Sequence, residues 1–260
     1  MLNEGIAYIN SYSASVDAFL NSGLSSTELD VLAGISIPDK LKVINPVFPG
    51  QIELYRNIAM VLVAESAAKE PYKNYLELRK TRKELFEAPV VIVAGGASLM
   101  DKAKTETYRG YFRKMMHGFT GTIISGGTTA GIPGLVGEVK EELEKQRTLD
   151  FDLVGYLPRM LPTNAAKSKA YDIFCETDSN HFSVQEILNY WCDLVCSGIH
   201  PSDVLLVGID GGDIAAMEYR IALSLGAKVT IIANSGRAAS ELFEDKFWKS
   251  HRNLIGLLAD

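Results

Sequence analysis

Apolar positions along the chain follow two different patterns that meet near Pro89. Residues 1 to 50 mix turn formers with short apolar pieces and show no clean period. From Gln51 onward Leu54, Ile58, Val61 and Leu62 recur at helical spacing, and "YKNYLELRKTRKELF" reads as a solvated, charged helix that Pro89 stops. Residues 1–88 are therefore expected to form a mostly helical extension. Beyond Pro89 short β-branched runs alternate with helical ones. "PVVIVAGG", "GTIISGG", "FDLVGYLP", "DVLLVGIDGG", "KVTIIANSG" and "LIGLLA" read as strands. Between them "DKAKTETYRGYFRKMMHGF", with Gly110 as a weak spot, "LVGEVKEELEKQ", "FSVQEILNYWCDLVCSG", "DIAAMEYRIALSLG" and "RAASELFEDKFW" read as helices. Ser183 with Glu186 three residues on has the spacing of a capping box. Alternation of apolar strands with helices predicts an α/β domain over 89–260: an open, mainly parallel sheet with helices on both faces.

Ligands of such sheets bind beyond the carboxyl ends of the strands, and three strands here end in paired glycines: Gly95-Gly96, Gly126-Gly127 and Gly211-Gly212. Together they predict a crevice lined by main chain, with Ser98 and Ser125 beside the first two pairs. The middle stretch, Gly126, Gly127, Thr128, Thr129 and Gly131, leads into Pro133, a residue suited to the first turn of a helix. No carboxylate lies between Gly121 and Gly137, so this turn is expected to offer its N–H groups and hydroxyls to phosphate. It is no P-loop, because Ile132 and Pro133 stand where that motif needs Lys and a hydroxyl, and its G-G-x-x-x-G spacing is not the dinucleotide G-x-G-x-x-G.

The third turn is acidic. Asp210 and Asp213 suit ribose hydroxyls or a base amino group, or Asp213 simply caps the helix that follows. On that helix Glu218 falls inside the stripe of Ile214, Met217, Ile221 and Leu225. A carboxylate on an apolar face must be hydrogen-bonded or point into a crevice, so Glu218 is either a structural acceptor or a ligand-facing, catalytic acid. Arg237, after the fifth strand, and Arg159, after the third, are candidate anion contacts.

Composition narrows the classes. The 260 residues are 47% hydrophobic and 22% charged with a formal net charge of −6, which argues against a sequence-independent grip on nucleic acid. No apolar run approaches the length of a membrane span, the N-terminus does not read as a secretory signal, and three cysteines give no disulfide framework. A cytoplasmic setting is expected. Cys192, Cys196 and His200 follow at four-residue steps but lack a second ligand pair, so they read as core and surface residues rather than a metal site; no metal and no obligatory cofactor is expected.

The motifs "VVIVAGGAS", "IISGGTTAGIPGLVGE", "GYLP" and the run from "FSVQEILNYW" to "IIANSGRAA" resemble the SLOG superfamily, which includes LOG and DprA-type proteins. They are most similar to the branch shared by stand-alone prokaryotic proteins and the N-terminal cytosolic region of TRPM channels. The resemblance covers roughly Pro89 to Asp260. It implies a Rossmann-like fold and binding or sensing of a nucleotide or an NAD-derived ligand of the ADP-ribose type. Residues 1–88 are expected to mediate self-association into a homo-oligomer, and a sensor is expected to act on a separate effector protein. LOG enzymes hydrolyse the N-glycosidic bond of nucleoside 5′-monophosphates with a P-G-G-x-G-T-x-x-E motif. Gly211, Gly212 and Glu218 match its glycine pair and its acid, while Asp210, Ile214 and Ala215 replace its proline, third glycine and threonine. The alternative the resemblance implies is a nucleotide N-glycosidic hydrolase with Glu218 as the acidic residue.

Overall fold

The computed structural model describes residues 86–96, 102–177, 179–197, 199–245 and 248–258. The helical stripe around Leu54, the charged helix before Pro89 and Ser98 all lie outside the described residues.

Seven strands build one sheet, and every pairing in it is parallel. In chain order they are β1 (Val90–Gly95), β2 (Thr120–Ser125), β3 (Asp150–Pro158), β4 (Ile173–Thr177), β5 (Val204–Ile209), β6 (Lys228–Ala233) and β7 (Leu254–Leu258). Helices α1 (Lys102–Met116), α2 (Gly131–Glu144), α3 (Val184–Cys196), α4 (Asp213–Leu225) and α5 (Arg237–Glu244) connect them. This is the α/β, Rossmann-like architecture that the alternation of strand and helix predicts.

Alternation along β1 divides the core in two. Val91 and Val93 pack with Tyr108, Phe112 and Met116 of α1 and with Ile132, Val136 and Val139 of α2. Val90, Ile92 and Ala94 pack on the opposite side with Leu188, Trp191 and Leu194 of α3, Tyr219 and Ile221 of α4, and Leu242 of α5. Burying both faces of the strands is what makes them read as unbroken β-branched runs. The exception is β4. Its sequence, Ile-Phe-Cys-Glu-Thr, buries only Cys175 and Thr177, and an edge position tolerates the polar Glu176, so no apolar run announces this strand.

The strand order is β4-β3-β2-β1-β5-β6-β7. From β1 the chain proceeds outward through β2, β3 and β4, then returns past β1 and proceeds outward the other way. The order therefore reverses between β1 and β5, and the turns leaving these two strands depart toward opposite faces of the sheet. That divergence opens a crevice at their carboxyl ends. The three glycine pairs follow β2, β1 and β5, which are consecutive neighbours in the sheet.

Two glycines in helices separate packing from propensity. A Cβ on Gly110, within α1, would meet no atom within 4 Å, whereas one on Gly134, in the first turn of α2, would lie 2.2 Å from the Thr129 carbonyl oxygen. Gly110→Ala is expected to raise unfolding free energy by about 1 kcal/mol. Gly134→Ala is expected to lower it by roughly 1–3 kcal/mol, the scale of overpacking. Urea denaturation of both variants checks the pair.

Candidate functional site

A cavity of about 450 Å³ occupies the crevice at the strand reversal. Its floor is the end of β1 and the turn after it (Val93 to Gly96), with Ile124 and Ser125 of β2 and the following Gly126 on one side and Tyr156 of β3 beyond them. The first turns of three helices close it: Thr128 and Pro133 at α2, Phe182 to Tyr190 at α3, and Gly212 to Glu218 at α4. Arg237, opening α5, stands at its margin. Parallel strands send each following helix off with its N-terminus toward this edge, so the positive ends of the helix dipoles converge here.

The N-termini of these helices are finished differently. Ser183 and Glu186 form the capping box that their spacing predicts: Ser183 Oγ accepts from the Gln185 amide at 3.1 Å, and Glu186 Oε2 accepts from the Ser183 amide at 2.7 Å. Oε2 also accepts from Ser183 Oγ at 3.1 Å, and Thr177 Oγ1 donates to Oε1. Glu186 therefore borders the cavity with both oxygens already engaged.

The turn into α2 departs from the sequence expectation. Several of its N–H groups are used within the protein: Thr129 donates to the Ala166 carbonyl and Ile132 to that of Gly96, both at 2.9 Å, and Pro133 has no N–H. The Gly127 amide hydrogen-bonds the buried Tyr171 hydroxyl. The absence of a carboxylate in this stretch does not leave the Thr129 and Ile132 donors open, because carbonyls of other loops fill the role. Gly126 and Thr128 border the cavity; Gly127, Thr129 and Gly131 do not. Gly127 adopts φ 73° with its Cα turned toward Leu157 and Gly155, so its glycine serves close packing. Ser125 Oγ, though at the cavity wall, donates to the Val93 carbonyl at 2.8 Å.

At α4 the outcome is the opposite. Asp213 is not the cap: the N-cap is Gly212, no side chain bonds the helix end, and Asp213 is the first helical residue, exposed at the cavity wall. A glycine in the capping position shifts the helix start back by one residue and moves the carboxylate off the helix end. A Cβ on Gly212 would meet no atom within 4 Å, so here main chain, rather than packed side chains, faces the cavity. Gly211 lies behind it at φ 97° against Ala215.

Glu218 enters the cavity from the second turn of α4. It is half-buried and lines the cavity. Tyr190 Oη donates to its Oε1 at 3.0 Å. Burial raises its pKa from 4.5 to about 7, against the opposing pull of that one hydrogen bond. Glu218 is thus a carboxyl group that can exchange a proton near neutral pH. Ile214, one turn earlier, is 36% exposed at the cavity wall rather than in the core.

The two arginines separate. Arg159 is exposed and does not border the cavity. Arg237 does border it, but its guanidinium grips Asp210, with Nε to Oδ1 at 2.8 Å and Nη2 to Oδ2 at 2.5 Å. Burial would raise the Asp210 pKa, and Arg237 outweighs it and holds the group below its usual value. Asp210 does not border the cavity, so its carboxylate faces Arg237 rather than a ligand. Tyr156, Phe182, Ile187 and Tyr190, which sequence patterns give no reason to single out, supply the apolar wall; only the fold brings α3 over β3 and β1.

No protein-family model matches the chain, and no curated protein matches it. Among solved structures, a molybdenum cofactor carrier protein from Chlamydomonas reinhardtii is similar at 16% identity, covering 65% of this chain and 88% of that one, with a TM-score of 0.45. A molybdenum cofactor binding protein from Rippkaea orientalis gives 16%, 65%, 88% and 0.46, and the protein TM1055 gives 18%, 65%, 91% and 0.45. Likeness of this degree does not extend to ligands.

The Glu218 environment fixes a sign for pH dependence. The unfolded chain loses this proton near pH 4.5 and the folded one near 7. The folded state therefore binds more protons in between, and stability falls as pH rises through that window. Glu218→Gln is expected to change stability little at pH 4 and to raise it at pH 8 by on the order of 1–3 kcal/mol. Equal effects at both pH values in denaturant titrations would contradict the enclosed carboxyl.

Proposed function

We propose that the cavity binds a nucleotide or an NAD-derived ligand of the ADP-ribose type. The observation that carries this reading is one cavity, about 450 Å³, that combines an uncapped helix end, an arginine, a carboxyl group and an aromatic wall. Its volume falls within the range of about 300–1,000 Å³ usual for small-ligand sites. The first-turn amides of α4 and Arg237 suit an anionic oxygen group. Glu218 and the Tyr190 hydroxyl suit sugar hydroxyls, and Phe182, Ile187 and Ile214 suit a flat apolar ring. This arrangement reverses the sequence-based division of roles, in which phosphate went to the turn before α2 and sugar to Asp210 and Asp213.

Glu218 favours a second reading, hydrolysis of the N-glycosidic bond of a nucleotide. In that reaction water adds to the anomeric carbon as the carbon–nitrogen bond breaks. The Glu218 carboxylate would take the proton of the attacking water, and the base would leave with a proton from solvent. Ile214 and Ala215, in place of the glycine and threonine of the hydrolase motif, remove a close approach and a hydroxyl from the site, so binding without turnover ranks first.

A thermal-shift panel of mononucleotides, NAD and ADP-ribose, followed by chromatography for free base, separates the readings. Stabilisation with intact ligand supports a binding protein. Free base that disappears in Glu218→Gln supports the hydrolase, and no shift with any member overturns both. Gly212→Leu projects into open space at an extended backbone position, so it is expected to abolish the ligand shift while changing the unliganded stability by less than about 1 kcal/mol.

A further inference from the structure

The corner between β5 and β6 gathers three non-glycine residues at positive φ: Asp210 at 56°, Asn234 at 61° and Arg237 at 33°. Such backbone is unfavourable and persists only where its surroundings fix it. Here they do. The Asp210 amide donates to Ser235 Oγ at 2.8 Å, and its carbonyl accepts from the Ala239 amide at 3.0 Å and from Tyr219 Oη at 3.1 Å. The result is a two-point carboxylate–guanidinium contact laid against the turn after β1. A Cβ on Gly96 would lie 2.6 Å from Arg237 Nη2 and 2.7 Å from Asp210 Oδ2, so a side chain at position 96 would displace the pair from this position. Lys104 adds positive charge near the same carboxylate.

Asp and Asn tolerate such backbone better than other non-glycine residues, so the residue it constrains most is Arg237, whose half-exposed guanidinium pairs with a mostly buried carboxylate. The geometry suits the placing of a cation. Asp210 occupies Nε–H and one Nη2–H of Arg237 and leaves the remaining three of its five donors, while the Arg237 side chain is 49% exposed and borders the cavity.

We propose that Asp210 is a positioning residue, which holds Arg237 over Gly96 so that its unused donors meet an anionic oxygen group of the cavity's ligand. The proposal rests on reading the cavity as a ligand site and assigns to Asp210 a role that the sugar-contact expectation did not contain. Asp210 acts through Arg237, and its removal changes recognition of the anion and of nothing else in the ligand.

Calorimetric titration with 5′-AMP and with adenosine tests this. Wild type is expected to bind 5′-AMP more tightly than adenosine. Asp210→Asn is expected to weaken 5′-AMP about 5- to 10-fold, the scale of one net hydrogen bond, and to leave adenosine unchanged. Arg237→Lys, which cannot present the same fork, is expected to give the same selective loss, and adding Asp210→Asn to it is expected to cost nothing more. Should Asp210→Asn fail to fold, the selective loss in Arg237→Lys and a recovery of 5′-AMP binding in Asp210→Glu stand in its place, and the absence of either overturns the proposal. Equal weakening of both ligands, or tighter 5′-AMP binding by Asp210→Asn, overturns it too. Wild type that binds both ligands equally sinks the positioning role while sparing the cavity reading; wild type that binds neither sinks both.

Discussion

The reversal of strand order between β1 and β5 is the constraint on which the rest depends. In a parallel sheet each strand hands over to a helix at the same edge. Where successive crossovers change face, the two departing turns separate and cannot fill the space between them. In this chain the space is closed instead by three helix N-termini, those of α2, α3 and α4, with α5 at the margin. The site is therefore a consequence of topology first and of side chains second. The side chains decide what it can hold.

Their contribution is unequal in a way that has a single physical cause, competition for donors and acceptors. At α3 the capping box consumes both oxygens of Glu186. At α2, carbonyls from the turn after β1 and from the loop after β3 take the amides of Ile132 and Thr129. Neither α2 nor α4 has a side-chain cap, but α4 presents a glycine to the cavity with no atom packed where its Cβ would stand, and it carries Glu218 one turn deeper. An enclosed carboxyl with one hydrogen-bond donor, Tyr190, is costly when ionised. The same group is stable as a neutral acid, which links occupancy of the cavity to proton exchange near neutral pH.

Much of the fold was legible in the sequence because burial on both sheet faces leaves an unbroken apolar signature; β4 was not, because an edge strand needs no such signature. The candidate site was legible only in outline. Glycine pairs marked the correct edge of the sheet, yet a glycine tolerates both close packing and ligand approach, and the sequence does not say which. Gly96 and Gly127 turn out to admit neighbouring protein groups, and Gly212 opens onto the cavity. The Asp210–Arg237 contact spans 27 positions and has no local pattern, so each residue taken alone looked like a ligand contact. Periodicity marked Glu218 as a polar residue in an apolar stripe and left open a structural or a ligand-facing role; the side chain accepts from Tyr190 and also lines the cavity.

The most direct measurement is a titration of the isotopically labelled protein with ADP-ribose followed by backbone and side-chain NMR. The account predicts that the largest shifts fall on the amides of Gly212 to Ala215, the Arg237 guanidinium and the Glu218 carboxyl carbon, with the amides of Thr129 and Ile132 little changed. Shifts centred on Thr129 to Ile132, or none among the residues that line the cavity, would contradict it.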